Sequence, residues 1–272
     1  MTARRKSDPI PRPIGIFDSG VGGLTVFREV ARALPRESLI YLGDSARLPY
    51  GTKSAGTIER YALQAAQHLI AQDIKMLVVA CNTATAFALP ALQAKLEIPV
   101  IGVIAPGAAA AVAVSQGNVG VIATEGTVKA GAYRLAIHAL DESIEVIEQP
   151  CPLFVPLAEE GWANTHVARE VAEIYLTPLV DAGIDTLVLG CTHYPLLRST
   201  IQHVVGERIR IVDSAETTAQ AVADELTRRG AIESNGGGER RFQITDAAER
   251  FSRIAAEFLE SSMQEVELVN LG

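Results

Sequence analysis

The sequence predicts an α/β protein of two pseudo-symmetric parallel-sheet α/β lobes, with the active site expected in the cleft between them. Three observations predict this. From residue 14 onward, short apolar or β-branched runs alternate with amphipathic segments of helical length. Near-continuous apolar strands in such an alternation are the mark of parallel sheets covered by helices. One segment then recurs: IKMLVVACNT at 74–83 matches IDTLVLGCTH at 184–193 without a gap, 110 residues on. A weaker echo links IGIF at 14–17 to VGVI at 119–122. Eight strands could form one sheet or two, and the duplication decides for two.

The elements follow in order. Pro9, Pro11 and Pro13 block regular structure, so residues 1–12 are expected to form a disordered tail. The predicted strands are 14–17, 39–42, 76–80, 100–103, 119–123, 144–148, 186–190 and 209–212. The predicted helices are 24–34, 57–72, 83–96, 107–114, 129–140, 166–182, 195–205 and 215–229. A loop at 236–238, an apolar run at 242–245, a helix around 250–260 and a closing edge strand at 266–269 complete the chain. The linker is expected near Pro106-Gly107, with a return crossing near Asp213-Ser214. Residues 1–106 plus 214–272 then make the first lobe, and 107–213 the second.

Composition narrows the class. Of 272 residues, 48% are hydrophobic and 21% charged, which excludes a largely disordered chain. No apolar stretch approaches the roughly 18–20 residues a membrane helix needs, so no membrane partner is expected. The basic start, MTARRKSDPIPRP, lacks the apolar core of a secretory signal, which points to a cytoplasmic protein. The net charge is −8, and the 19 Arg and 5 Lys are dispersed, so no basic face for nucleic acid is visible. Cys81, Cys151 and Cys191 are an odd count with no Cys-x-x-Cys pair, which argues against a disulfide framework or a structural zinc. No metal site is expected.

Ligands of open parallel sheets bind beyond the carboxyl ends of the strands. The polar residues there are Asp18 and Ser19, Asp44, Cys81-Asn82-Thr83, Thr124 and Cys191-Thr192-His193. Taken singly, each cysteine is a buried small hydrophobe. Two at equivalent places in a duplicated unit make coincidence the weaker account. Each stands at a strand end before a predicted helix, where the helix dipole can lower a thiol pKa from its usual ~8.5. Two facing thiols suit two-base racemisation or epimerisation: one takes a proton from a carbon and the other delivers one to the opposite face. Asp18 could serve Cys81, or be the turn aspartate of DSG. His193 could serve Cys191, or be a satisfied histidine at a helix start. Glu159 and Glu160 could be a solvated helix end. The glycines at 20, 22 and 23 lack the spacing of a nucleotide loop. Backbone there, with Tyr50-Gly51 and the Asn82-Thr83 and Thr192-His193 pairs, offers neutral donors for a small anionic substrate; Thr124 and Thr127 could add to these or cap a helix. None of the five lysines ends a strand as a pyridoxal phosphate Schiff base would require, so no cofactor is expected.

Seven ordered stretches carry a family resemblance: GIFDSGVGGLTV (15–26), YLGDSARLPYG (41–51), VVACNTATA (78–86), IGVIAPG (101–107), GVIATEGT (120–127), CPLFVPLAEEG (151–161) and LGCTHYPLL (189–197). Together they resemble the glutamate racemases of the aspartate/glutamate racemase superfamily. The resemblance implies interconversion of L- and D-glutamate without cofactor, feeding peptidoglycan precursor synthesis, and is compatible with a homodimer. It implies that Cys81 deprotonates D-glutamate and Cys191 L-glutamate, with Asp18 beside the first thiol and His193 and Glu159 beside the second. It places substrate contacts on Asp18, Ser19, Tyr50, Gly51, Asn82, Thr83, Thr124, Thr192 and His193. Ala158 departs from a common valine, without consequence for the chemistry. The alternatives are a relative acting on aspartate, a two-lobed amino-acid binding protein without catalysis, and a hydrolase using Cys191 and His193.

Overall fold

The computed structural model describes residues 12–234, 237–260 and 265–272. The predicted tail therefore lies outside the described residues except for Arg12, as does Gly236 of the predicted loop. In chain order the elements are β1 (Ile14–Asp18), α1 (Leu24–Ala33), β2 (Leu39–Gly43), α2 (Ala55–Ile70), β3 (Met76–Val79), α3 (Asn82–Lys95), β4 (Val100–Gly102) and α4 (Ile104–Val114). There follow β5 (Asn118–Ala123), α5 (Glu125–Ala130), α6 (Ala132–His138), β6 (Glu145–Pro150), α7 (Phe154–Glu159), α8 (His166–Asp181), β7 (Thr186–Gly190), α9 (Arg198–Val205) and β8 (Arg210–Asp213). The chain ends with α10 (Ser214–Arg228), β9 (Arg240–Ile244), α11 (Ala248–Leu259) and β10 (Val266–Leu268).

The strands form two sheets, ordered β10-β9-β2-β1-β3-β4 and β6-β5-β7-β8. Every pairing is parallel. The second order repeats the last four strands of the first, β2-β1-β3-β4, strand for strand. The two echoes in the sequence thus fall on β1 with β5 and on β3 with β7. Both tail strands join the first sheet, with β10 at its edge.

Alternation along the first sheet separates two apolar layers. Ile14, Ile16, Tyr41 and Val78 pack with α1, α10 and α11, while Phe17, Leu42, Leu77 and Val79 pack with α2 and α3. The first of these layers continues through α4 into the core of the second sheet, including Val119, Val121, Leu187 and Leu189. An aromatic group ties the tail to this layer: Phe242 of β9 lies 4.9 Å from Phe27 of α1, and Tyr41 of β2 lies 6.1 Å from Phe251 of α11.

Two predicted helices differ, and one short helix was not predicted. The helix expected at 129–140 is two, because Gly131 takes a left-handed conformation (φ 60°) that ends α5 and starts α6. Residues 194–197 form a tight 3-10 turn before α9. Phe154–Glu159 is a short helix that the polar break at Glu159-Glu160 concealed. Among the described residues no helix is long and apolar enough to cross a membrane.

Phe242→Ala removes the ring that joins β9 to α1 and leaves a cavity. It should cost about 3–5 kcal/mol, read as a lower urea midpoint at unchanged slope. A near-neutral effect would mean that the tail is not part of the first core.

Candidate active site

In each sheet the strand order reverses between the first strand and its third, β1/β3 in one and β5/β7 in the other. Such switch points open a crevice at the carboxyl ends of the strands. Here the two crevices share one cavity of about 240 Å³. From the first come Ser19, Gly20, Cys81, Asn82 and Thr83, and from the second Thr124, Cys191, Thr192 and His193. Tyr50, Gly51 and Glu159 also line it, so the predicted set assembles there. Asp18 is fully buried beneath this wall.

Close backbone approaches bring the halves together. A Cβ on Gly22 would stand 2.3 Å from Thr192 Oγ1 and 2.4 Å from His193 Nδ1, so only glycine lets this loop meet the second sheet. Gly126 meets the Gly51 carbonyl in the same way, at 2.8 Å. The Thr25 hydroxyl of α1 donates to the Thr192 carbonyl at 3.1 Å. The Thr83 and Thr124 hydroxyls, from opposite halves, bond at 2.9 Å. Thr124 also caps α5, accepting from the Thr127 N–H at 3.3 Å.

Cys81 caps α3, its sulfur accepting from the Ala84 N–H at 3.4 Å, and its thiol donates to Ser19 Oγ at 3.4 Å. The lowered thiol pKa expected from the helix dipole is not found here. Burial, and then the Asp18 carboxylate, push the thiol up to about 12, and these outweigh the helix N–H. Asp18 is itself raised by burial, against the opposing pull of His193 and of the Gly20, Gly23 and Ser19 N–H groups. Its Oδ2 accepts from the Gly20 N–H at 2.8 Å.

Cys191 has a different companion. Its sulfur lies 3.9 Å from His193 Nδ1, and His193 Nε2 lies 3.0 Å from Glu159 Oε1. Burial alone would strip the imidazole of its proton. Hydrogen bonds to Cys191 and Glu159 outweigh it and raise the pKa to about 10. Burial also works against the charge of Glu159, yet His193 and Arg250 hold its carboxyl below the usual range. Arg250 of α11 closes this chain, 3.1 Å from Glu159 Oε2, at the cavity mouth. Tyr50 lines the cavity, but its hydroxyl turns away to donate to Asp44. Among the described residues no group of three or more His, Cys, Asp or Glu could hold a metal ion.

Comparison with known proteins agrees with this architecture. The model of the Asp/Glu/Hydantoin racemase family matches residues 14–222. The chain belongs to the Asp/Glu/Hydantoin racemase family. It is an amino-acid racemase, an isomerase. A glutamate racemase of Geobacter metallireducens is 52% identical over 263 residues, 96% of this chain and 97% of that protein. One from Streptococcus pneumoniae is 46% identical over 266 residues, 96% and 99%. The structure of glutamate racemase from Francisella tularensis in complex with D-glutamate superposes with a TM-score of 0.91 at 39% identity, covering 96% of this chain and 98% of that one.

Several residues of the racemase cavity escaped the sequence. Leu48, Pro49, Val155 and Pro156 form apolar walls and carry no chemical signal. Arg250 sits in an ordinary amphipathic helix, and only folding sets it against Glu159.

The folded pKa of His193 lies above the ~6.5 of an unfolded histidine. Its contribution to stability is therefore complete below about pH 6.5 and is lost as pH rises through about 10. In Glu159→Gln the imidazole should titrate at lower pH by NMR, and that pH-dependent loss should shrink. An unmoved titration would detach Glu159 from His193.

Proposed function

We propose that the protein is a cofactor-independent glutamate racemase that moves a proton between Cα and two thiols. The observation that carries this is the pair Cys81 and Cys191: equivalent strand ends of two like sheets, lining one cavity from its two halves, each with its own proton-holding companion. From L-glutamate, Cys191 takes the Cα proton while Cys81, which keeps its own proton at neutral pH, delivers it to the opposite face. From D-glutamate the roles exchange. Asp18 holds or relays the proton of Cys81, and His193, oriented by Glu159, that of Cys191. The substrate carboxylates take donors from Ser19, Asn82, Thr83, Thr124 and Thr192 and from the backbone of Gly51, with the wall at Tyr50 excluding water. The Cα proton is weakly acidic, so a dry site of fixed donors must stabilise the carbanion.

Glutamate is favoured over aspartate because relatives at 52% and 46% identity are glutamate racemases. The product would be D-glutamate for peptidoglycan precursor synthesis in the cytoplasm, the use the resemblance implies. We read residues 1–106 with 214–272 and residues 107–213 as the two lobes that close on the substrate.

The test is incubation of enzyme with L-glutamate in deuterated water, following optical rotation and deuterium at Cα. Rotation should vanish as deuterium enters the D-product. Cys81→Ser and Cys191→Ser should each lower racemisation by about 10²–10⁴-fold, the usual range for a lost acid or base. Exchange with aspartate alone would move the substrate and keep the mechanism. Wild-type rates in either serine variant would remove the two-thiol assignment.

A further inference from the structure

Asn82 opens α3 beside Cys81 and is 2% exposed. Its Oδ1 accepts from the Tyr133 hydroxyl at 2.7 Å. Its Nδ2 is buried and has no hydrogen-bond partner among the described residues, although Asn82 lines the cavity. A buried amide donor left open is costly unless a ligand accepts from it.

Tyr133 reaches Asn82 from the other half of the molecule, on α6, and is fully buried. Two glycines leave its ring one place to lie. A Cβ on Gly190 would stand 3.0 Å from Cε2, and one on Gly107 would stand 3.3 Å from both Cε1 and the hydroxyl oxygen. Burial raises the phenol pKa against the pull of a hydrogen bond with Ser214, so the hydroxyl keeps its proton at working pH. A side-chain amide can turn over with little change of shape, presenting either its oxygen or its NH₂ to the cavity. With the Tyr133 hydroxyl donating to Oδ1, Nδ2 is the amide atom left without a partner among the described residues, on a residue that lines the cavity.

Given the glutamate racemisation proposed above, we propose that Tyr133 is a positioning residue that fixes the Asn82 amide so that Nδ2 donates to a substrate carboxylate. Tyr133 touches neither the substrate nor the reacting carbon. Its removal should weaken binding of both enantiomers and leave proton transfer nearly untouched.

The experiment is steady-state kinetics in both directions for wild type, Tyr133→Phe, Asn82→Ala and the double variant, with thermal unfolding measured alongside. Tyr133→Phe should raise KM for L- and D-glutamate about fivefold to tenfold, the scale of one hydrogen bond, with kcat changed less than twofold. Asn82→Ala should raise KM, and adding Tyr133→Phe to it should change KM no further, because the tyrosine acts only through the amide. Unchanged KM in Tyr133→Phe with a lowered Tm would assign the tyrosine a purely structural role and overturn the inference. So would a several-fold further rise in the double variant. If Tyr133→Phe alone does not fold, the side-chain NH₂ resonance of Asn82 in the wild type carries the test: it should move when glutamate binds, and an unmoved resonance would overturn the inference. A wild type inert toward glutamate would remove the functional reading and this inference with it. An active wild type with no KM effect in Tyr133→Phe would remove this inference alone.

Discussion

The site depends on two strand-order reversals meeting mouth to mouth, and that meeting depends on Gly22. The loop after β1 approaches Thr192 and His193 closer than any side chain permits. Asp18 sits directly behind this loop, with a Cβ on Gly23 only 2.4 Å from Asp18 Cβ. One short backbone segment therefore sets the spacing between the two halves and the depth at which a carboxyl is buried between them. The raised pKa of its carboxyl, and an Oδ1 with no hydrogen-bond partner among the described residues, follow from that depth.

Like topology has not produced like chemistry. The two cysteines hold equivalent positions, but Cys81 follows the geometry of a helix cap, whereas Cys191 precedes a 3-10 turn that carries His193 next to it. The first thiol is surrounded by burial and negative charge. The second opens onto a file of His193, Glu159 and Arg250 that leads outward to a half-exposed guanidinium. The duplicated scaffold sets the positions of the two sulfurs, and local backbone form sets their companions.

Much of this was legible in the chain. The strand repeat exposed the two sheets, because buried parallel strands need continuous apolar runs and IKMLVVAC and IDTLVLGC supply them. The site residues were legible for the same reason, since strand ends are where polar groups can gather. Other features come only from folding. Gly131 splits a helix because of a backbone torsion, not a pattern. The pKa of Cys81 is set by burial and then by Asp18, 63 positions away in sequence. The Tyr50 hydroxyl is taken up by Asp44, a pairing that spacing alone does not forecast.

The elevated pKa of Cys81 bears on how the resting molecule survives its surroundings. Oxidants and alkylating agents attack the thiolate, and burial beside Asp18 keeps that form scarce at neutral pH. The sulfur just beyond β3 is therefore chemically quiet. The burial that raises its pKa thus shields Cys81 from oxidative damage.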